Sequence, residues 1–107
     1  MADRDLRADR KVAAALDELA RACERAASVI ESVPDADRAF EGATRLAETL
    51  RDAADSAAEL RARTAARIWA TESISLAQLA KRIGVSKARA AQLVRSARSA
   101  DEEPTDA

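Results

Sequence analysis

Apolar residues recur along the first third of the chain at alternating spacings of four and three positions. The stripe consists of Val12, Leu16, Leu19, Cys23, Ala26, Ile30 and Val33. This is the heptad spacing of a helix that packs along its length against another helix. We predict a first helix from about residue 3 to residue 31, because Pro34 disfavours the helical conformation for the residue before it.

A second stripe with the same spacing follows the proline. Its members are Ala39, Ala43, Leu46, Leu50, Ala53, Ala57 and Leu60. Pro34 suits the first turn of this second helix, and Asp35 and Asp37 would then lie at its positive end. No strong breaker occurs before Ser73. We therefore predict a helix of about 38 residues, roughly 57 Å long.

Two long helices joined by so short a turn are expected to be antiparallel neighbours. Their many alanines would let the axes come close, with Gly42 at one close approach. Because two helices cannot cover both stripes, we expect a homodimer through residues 1–60, built as a four-helix bundle. The predicted dimer core contains Leu16, Leu19, Ile30, Leu46 and Leu50.

The pattern changes in the segment SLAQLAKRIGVSKARAAQLVRSAR, residues 75–98. Ser75 followed three residues later by Gln78 has the spacing of a capping box, which predicts a helix of about eight residues. Gly84 predicts a turn with positive φ, and Ser86 predicts the cap of a second short helix that ends near Arg98. The segment is therefore expected to fold as helix, tight turn, helix.

Two short helices need a third to close a core. The expected apolar face of the pair consists of Leu76, Leu79, Ala80, Ile83, Ala90, Leu93, Val94 and Ala97. The end of the second long helix would cover this face with Leu60, Ala65, Ile68 and Trp69. The predicted fold is all-α: a long antiparallel helical hairpin for dimerisation over residues 1–60, then a helix-turn-helix unit over residues 61–98 whose first helix continues the hairpin. The acidic residues 99–107 are expected to be disordered.

Charge is distributed unevenly along the chain, although the net charge is only -1. Residues 1–60 contain 9 Lys and Arg against 14 Asp and Glu, whereas residues 61–98 contain 9 against the single Glu72. An ordinary solvated helix face carries both signs. The basic block therefore favours a polyanionic partner, namely double-stranded DNA.

Several kinds of function find no support in the residue types. The chain has no His and a single Cys, and it has neither a glycine-rich phosphate loop nor the spacing of a metal site. We expect no enzymatic activity, no cofactor and no metal, and we expect Cys23 to be a core residue. No secretion signal or bilayer-length apolar run is present, which predicts a cytoplasmic protein without membrane contact. The expected DNA partner would make it nucleoid-associated.

A resemblance to a known family is confined to residues 75–98. The residues that carry it are Leu76, Val85, Ser86, Lys87, Arg89 and Gln92. In this pattern the segment resembles the helix-turn-helix in the fourth conserved region of bacterial sigma factors. The resemblance implies that the second short helix lies in the major groove of promoter DNA, with Lys87 and Gln92 towards the bases. Ala88 and Ala91 depart from the longer polar side chains common in that family, and Ala88 could instead contact a thymine methyl group.

These observations predict a dimeric, site-specific DNA-binding protein, with bacterial transcriptional regulation as the leading interpretation. The predicted DNA contacts are Arg63, Arg67, Gln78, Lys81, Arg82, Ser86, Lys87, Ala88, Arg89, Ala91, Gln92, Arg95 and Arg98. Arg61, beside Arg63 on the same helix end, is a further candidate for a phosphate contact. Two alternatives stay open. One is a plasmid or phage centromere-binding or nucleoid-associated protein, and the other is an adaptor that contacts proteins such as RNA polymerase without binding DNA.

Overall fold

A computed structural model of the chain describes the backbone of residues 2–102 and the side chains of residues 5–99. Its helices are α1 (Ala2–Glu31), α2 (Ala36–Glu72), α3 (Leu76–Ile83) and α4 (Lys87–Glu102). Residues 2–102 contain no strand, which confirms the all-α prediction for this part of the chain. None of the helices found there is long and apolar enough to span a bilayer. The chain divides into a first unit, residues 1–50, and a second unit, residues 51–107, and α2 continues through the boundary.

The connection between α1 and α2 differs from the prediction in one respect. α1 ends at Glu31 as predicted, but α2 begins at Ala36, so Pro34 is not in its first turn. Asp35 caps the helix instead, because its Oδ1 accepts hydrogen bonds from the backbone N–H groups of Asp37 at 2.9 Å and Arg38 at 3.4 Å. A carboxylate in this position satisfies the unpaired donors of the first helical turn, which a proline ring cannot do.

Within the first unit, α1 and α2 meet at Ile30 and Gly42. A β-carbon built on Gly42 would lie 3.2 Å from Ile30 Cγ1, so the predicted close approach at this glycine is confirmed. Beside this contact lies a shallow depression, called here the alanine hollow. It is lined mainly by Ala27 and Ile30 of α1 and by Ala43, Leu46, Ala47 and Leu50 of α2.

The first unit encloses no core among its described side chains. No side chain of residues 5–50 is buried, and Cys23, Ile30 and Leu46 are only half-buried. Its exposed large apolar residues are Leu6, Val12, Leu16, Leu19, Val29, Phe40 and Leu50. The heptad spacing predicts that these stripes are buried against another helix, but within residues 5–50 they stay largely exposed.

The second unit has a closed core in which the C-terminal part of α2 packs with α3 and α4. Its buried side chains are Ala62, Ala65, Leu79, Ala80, Ala90, Leu93, Val94 and Ala97. They form two clusters, and Ile83 packs against both of them. Ile68 and Trp69 also pack on this core as predicted, but Leu60 is 53% exposed. Leu60 precedes Ala62 by two residues, which turns it by roughly 160° to the opposite face of the helix.

The two short helices begin and end as the sequence predicts. Ser75 Oγ accepts the Gln78 N–H at 3.1 Å, and Gln78 Oε1 accepts the Ser75 N–H at 2.9 Å, so the capping box is present. Gly84 ends α3 in the left-handed region with φ 75. Ser86 Oγ accepts the Arg89 N–H at 3.0 Å and so caps α4. These bonds fix the three-residue turn between α3 and α4.

The last helix is longer than expected. It continues to Glu102, so residues 99–102, expected to be disordered, are helical. Neither Gly nor Pro occurs among these four residues, and nothing in their backbone chemistry stops the helix. The rest of the expected disordered tail, residues 103–107, lies outside the described residues.

Candidate nucleic-acid interface

The exposed face of α4 is defined by the residues that it buries. Ala90, Leu93, Val94 and Ala97 turn towards α2 and α3. At about 100° per residue, Ala88, Gln92 and Arg95 lie on the opposite side, and all three are exposed. Ala91 is half-buried at the edge of this face. The structure thus brings three of the predicted DNA contacts together on one open helix face.

The flanks of α4 carry the other predicted contacts. Lys87 and Gln92 were expected to share a face, but five residues separate them, which places them about 140° apart around the helix. Lys87 is exposed in the first turn of α4, next to the Ser86 cap. Arg89 lies on the opposite flank from Lys87 and is also exposed. A groove-binding helix would therefore present Lys87 and Gln92 to different positions along the DNA.

Three of the predicted contacts on α4 already have partners within the chain. Arg89 Nη1 donates a hydrogen bond to Gln92 Oε1 at 2.9 Å, which leaves the NH₂ group of Gln92 as the free end of this amide. The guanidinium of Arg98 lies over the Trp69 ring, 5.7 Å from its centroid, in a cation–π arrangement. Arg98 is therefore directed towards α2 and away from Gln92.

On α3, two polar side chains serve local structure. The Oε1 atom of Gln78 belongs to the capping box. Arg82 forms an ion pair with Glu72 at the end of α2, with 2.5 Å between Nη1 and Oε1. The hydrogen bond from Arg82 lowers the pKa of Glu72, and the same bond raises the pKa of Arg82. A phosphate would have to compete with Glu72 for Arg82, whereas the exposed Lys81 has no such partner among the described side chains.

The arginines of α2 divide between two sides of the helix. Ala62 and Ala65 face the core, so Arg63 and Arg67, about 100° and 140° around from Ala62, point away from α3 and α4. The structure does not bring these two together with the basic residues of α4. Arg61, in contrast, lies with Thr64 and Arg89 around a shallow hollow with an apolar floor. The helical period measured from Ala62 and Ala65 is the sequence signal that separates Arg61 from the other two.

The charge of residues 61–98 is largely uncompensated within that stretch. Residues 61–98 contain nine basic side chains, and among the described side chains only Arg82 has a carboxylate within ion-pairing distance. Arg82 is paired with Glu72, and Arg98 lies over Trp69. The other basic side chains on the face and flanks of α4 are exposed to solvent. A dense set of unpaired positive charges attracts a polyanion and would release its counterions on binding.

No protein-family model matches the chain, and neither the curated proteins nor the solved structures contain a match to it. The candidate interface therefore inherits no function from a known relative.

Proposed function

We propose that this chain is a dimeric, site-specific DNA-binding protein, in which residues 61–98 act as a helix-turn-helix unit and α4 enters the major groove. The observation that carries the proposal is the open face of α4, with Ala88, Gln92 and Arg95 on it and basic residues on both flanks. An α-helix fits the major groove, where side chains distinguish base pairs by their donors, acceptors and thymine methyl groups. Transcriptional regulation is the use that we propose.

The roles of the side chains differ with their position. Lys87, Ala88 and Gln92 would face base edges, since they occupy the first two turns of α4. Lys81 and Arg95 would contact phosphates beside the groove, joined by Arg61 in place of Arg63 and Arg67. Backbone N–H groups at the start of α4 would also attract a phosphate, because a helix N-terminus carries partial positive charge.

Dimerisation through the helical hairpin of residues 1–60 is the second part of the proposal. It is supported by the first unit, whose residues 5–50 include no buried side chain and several exposed leucines. A segment of this size rarely buries enough apolar surface to be stable alone, and association is one remedy. Two linked helix-turn-helix units would bind half-sites separated by about 34 Å or a multiple of it.

Selection of bound fragments from a random DNA pool tests the proposal, followed by competition between the selected site and random duplex. Lys87→Ala and Gln92→Ala should each weaken binding to the selected site by about 1–3 kcal/mol and affect random DNA less. Arg63→Ala is the matched control, because it removes an exposed charge from the far side of α2. It should change neither affinity by more than about 0.5 kcal/mol.

The outcomes separate the alternatives. An inverted repeat in the selected pool supports a regulator, and broad enrichment supports a nucleoid-associated role. Equal losses on selected and random DNA would reassign Lys87 and Gln92 to phosphate contacts. No enrichment and no binding would reject the DNA proposal in favour of a protein adaptor, for which RNA polymerase is the first partner to test.

A further inference from the structure

The alanine hollow of the first unit and the side chain of Phe40 form a matched pair on one side of the hairpin. Phe40 is the only Phe of the chain and is 73% exposed. It precedes Ala47 of the hollow by seven residues, which is two helical turns, so both lie on the same side of α2 about 10 Å apart. In its own chain the ring does not line the hollow but a separate shallow depression, together with Thr44 and Glu48.

The hollow has the size and lining that suit an aromatic ring. Its volume is about 340 Å³, and its lining is mainly apolar, with the small residues Ala27, Ala43 and Ala47 among it. Small residues let another surface approach closely but leave space between the two backbones. An aromatic ring that projects from the other surface can fill this space with apolar contacts. The occupant should therefore carry an exposed aromatic side chain on a helix.

A second copy of this chain meets that requirement through symmetry. In a twofold interface the same patch contacts itself, so Phe40 of each copy can occupy the hollow of the other. The charges of the patch agree with this partner and not with a nucleic acid. Residues 36–51 of α2 carry three acidic and three basic side chains, so this stretch of α2 is neutral and offers both signs to a copy of itself.

We propose that two copies dimerise with Phe40 of each inserted in the alanine hollow of the other, about a twofold axis that passes near Thr44. This inference rests on the dimer of the proposed function and names its interface. It also explains why the first unit leaves Ala47 and Leu50 exposed: they are buried only in the pair of chains.

Sedimentation equilibrium on the full chain tests the interface. Phe40→Ala should raise the dimer dissociation constant about a hundredfold, because the symmetric contact loses the ring twice. The matched control is Val29→Ala. Val29 is 64% exposed but lies roughly 160° around α1 from Ala27 of the hollow, and its truncation should change the constant less than about threefold. Helicity by circular dichroism should stay unchanged in both variants.

A relocation of the ring gives the decisive comparison. Ala47→Phe alone should weaken the dimer, since two rings then compete for one hollow. The double variant F40A/A47F moves the ring to the facing position and should restore most of the lost association. A wild-type monomer at micromolar concentration, or a dimer that F40A does not weaken, would overturn the interface.

The same samples separate this inference from the DNA-binding proposal. A dimer that depends on Phe40 but binds no DNA would reject the proposed function and leave the interface standing. DNA binding through α4 with a dimer indifferent to Phe40 would reject the interface alone.

Discussion

The two units of the chain are both built from alanine-rich amphipathic helices, yet their packing differs. The second unit buries eight apolar side chains, and Leu79 among them is fully inaccessible. The first unit, over residues 5–50, buries none, although its heptad spacing is the more regular of the two. Regular spacing therefore identifies the apolar face of a helix. It does not show whether another part of the same chain packs on that face.

The difference follows from the number of chain reversals. The second unit contains two, at residues 73–75 and 84–86, so three helices converge and each covers the gap between the other two. The first unit contains one reversal, at residues 32–35, and two helices share only a line of contact. The second unit is closed by its own chain, and the first leaves its large apolar side chains exposed.

The largest expected effect is the difference in unfolding free energy between truncating a buried leucine and truncating an exposed leucine of the second unit. Leu79→Ala should lower its free energy of unfolding by about 3–5 kcal/mol, because the cavity is enclosed on all sides. Leu60→Ala, at a residue 53% exposed, should cost less than about 1 kcal/mol. Fluorescence of Trp69, the only Trp of the chain, reports urea unfolding of this unit alone. Equal costs would mean that the core is not closed as described.

A smaller effect is expected at the capping box that starts α3. Ser75→Ala removes the acceptor of the Gln78 N–H and should cost about 1 kcal/mol of stability in the same unfolding assay. Ser56→Ala, at an exposed position within α2, is the matched control and should be neutral or slightly stabilising. A loss in the control as large as in the cap variant would contradict the assignment of Ser75.

At the end of α2, a substitution is expected to raise the stability of the second unit instead of lowering it. Ser73 adopts the left-handed conformation with φ 51, which costs energy for a residue that has a β-carbon. Ser73→Gly should therefore stabilise the second unit by about 0.5–1 kcal/mol, whereas Gly84→Ala at φ 75 should destabilise it by about 1 kcal/mol. Thermal melts of the two variants against wild type measure both shifts. A melting point lowered by S73G would show that its φ is not a source of strain.

The smallest expected effect depends on pH. Arg82 lowers the pKa of Glu72, so the ion pair stabilises the contact between α2 and α3 at neutral pH and is lost as the pH falls through that lowered pKa. Both groups are exposed, and solvent keeps the contribution small. Glu72→Gln should match wild type in acid and fall slightly below it at neutral pH when Trp69 fluorescence follows unfolding. If the stability difference between Glu72→Gln and wild type were the same at every pH, the ion pair would not be its cause.

The sequence by itself determined the features that depend on neighbours within one helical turn. The end of α1, the capping box at Ser75, the positive φ of Gly84 and the Ser86 cap were all predictable, because each depends on local chemistry. A proline restricts the residue before it, a glycine tolerates positive φ, and the two caps are bonds between residues three positions apart. The start of α2 was placed too early, since Pro34 was expected in its first turn, whereas Asp35 caps the helix and Ala36 begins it.

The tertiary structure decided which exposed residues can act together. The sequence grouped Arg61 with Arg63 and Arg67, and the helical period separates them only once the structure shows that Ala62 and Ala65 face the core. Ion pairing of Arg82 with Glu72 spans ten residues, and the contact of Arg98 with Trp69 joins two different helices. Contacts between distant parts of the chain depend on how whole helices are oriented, and local spacing does not contain that information.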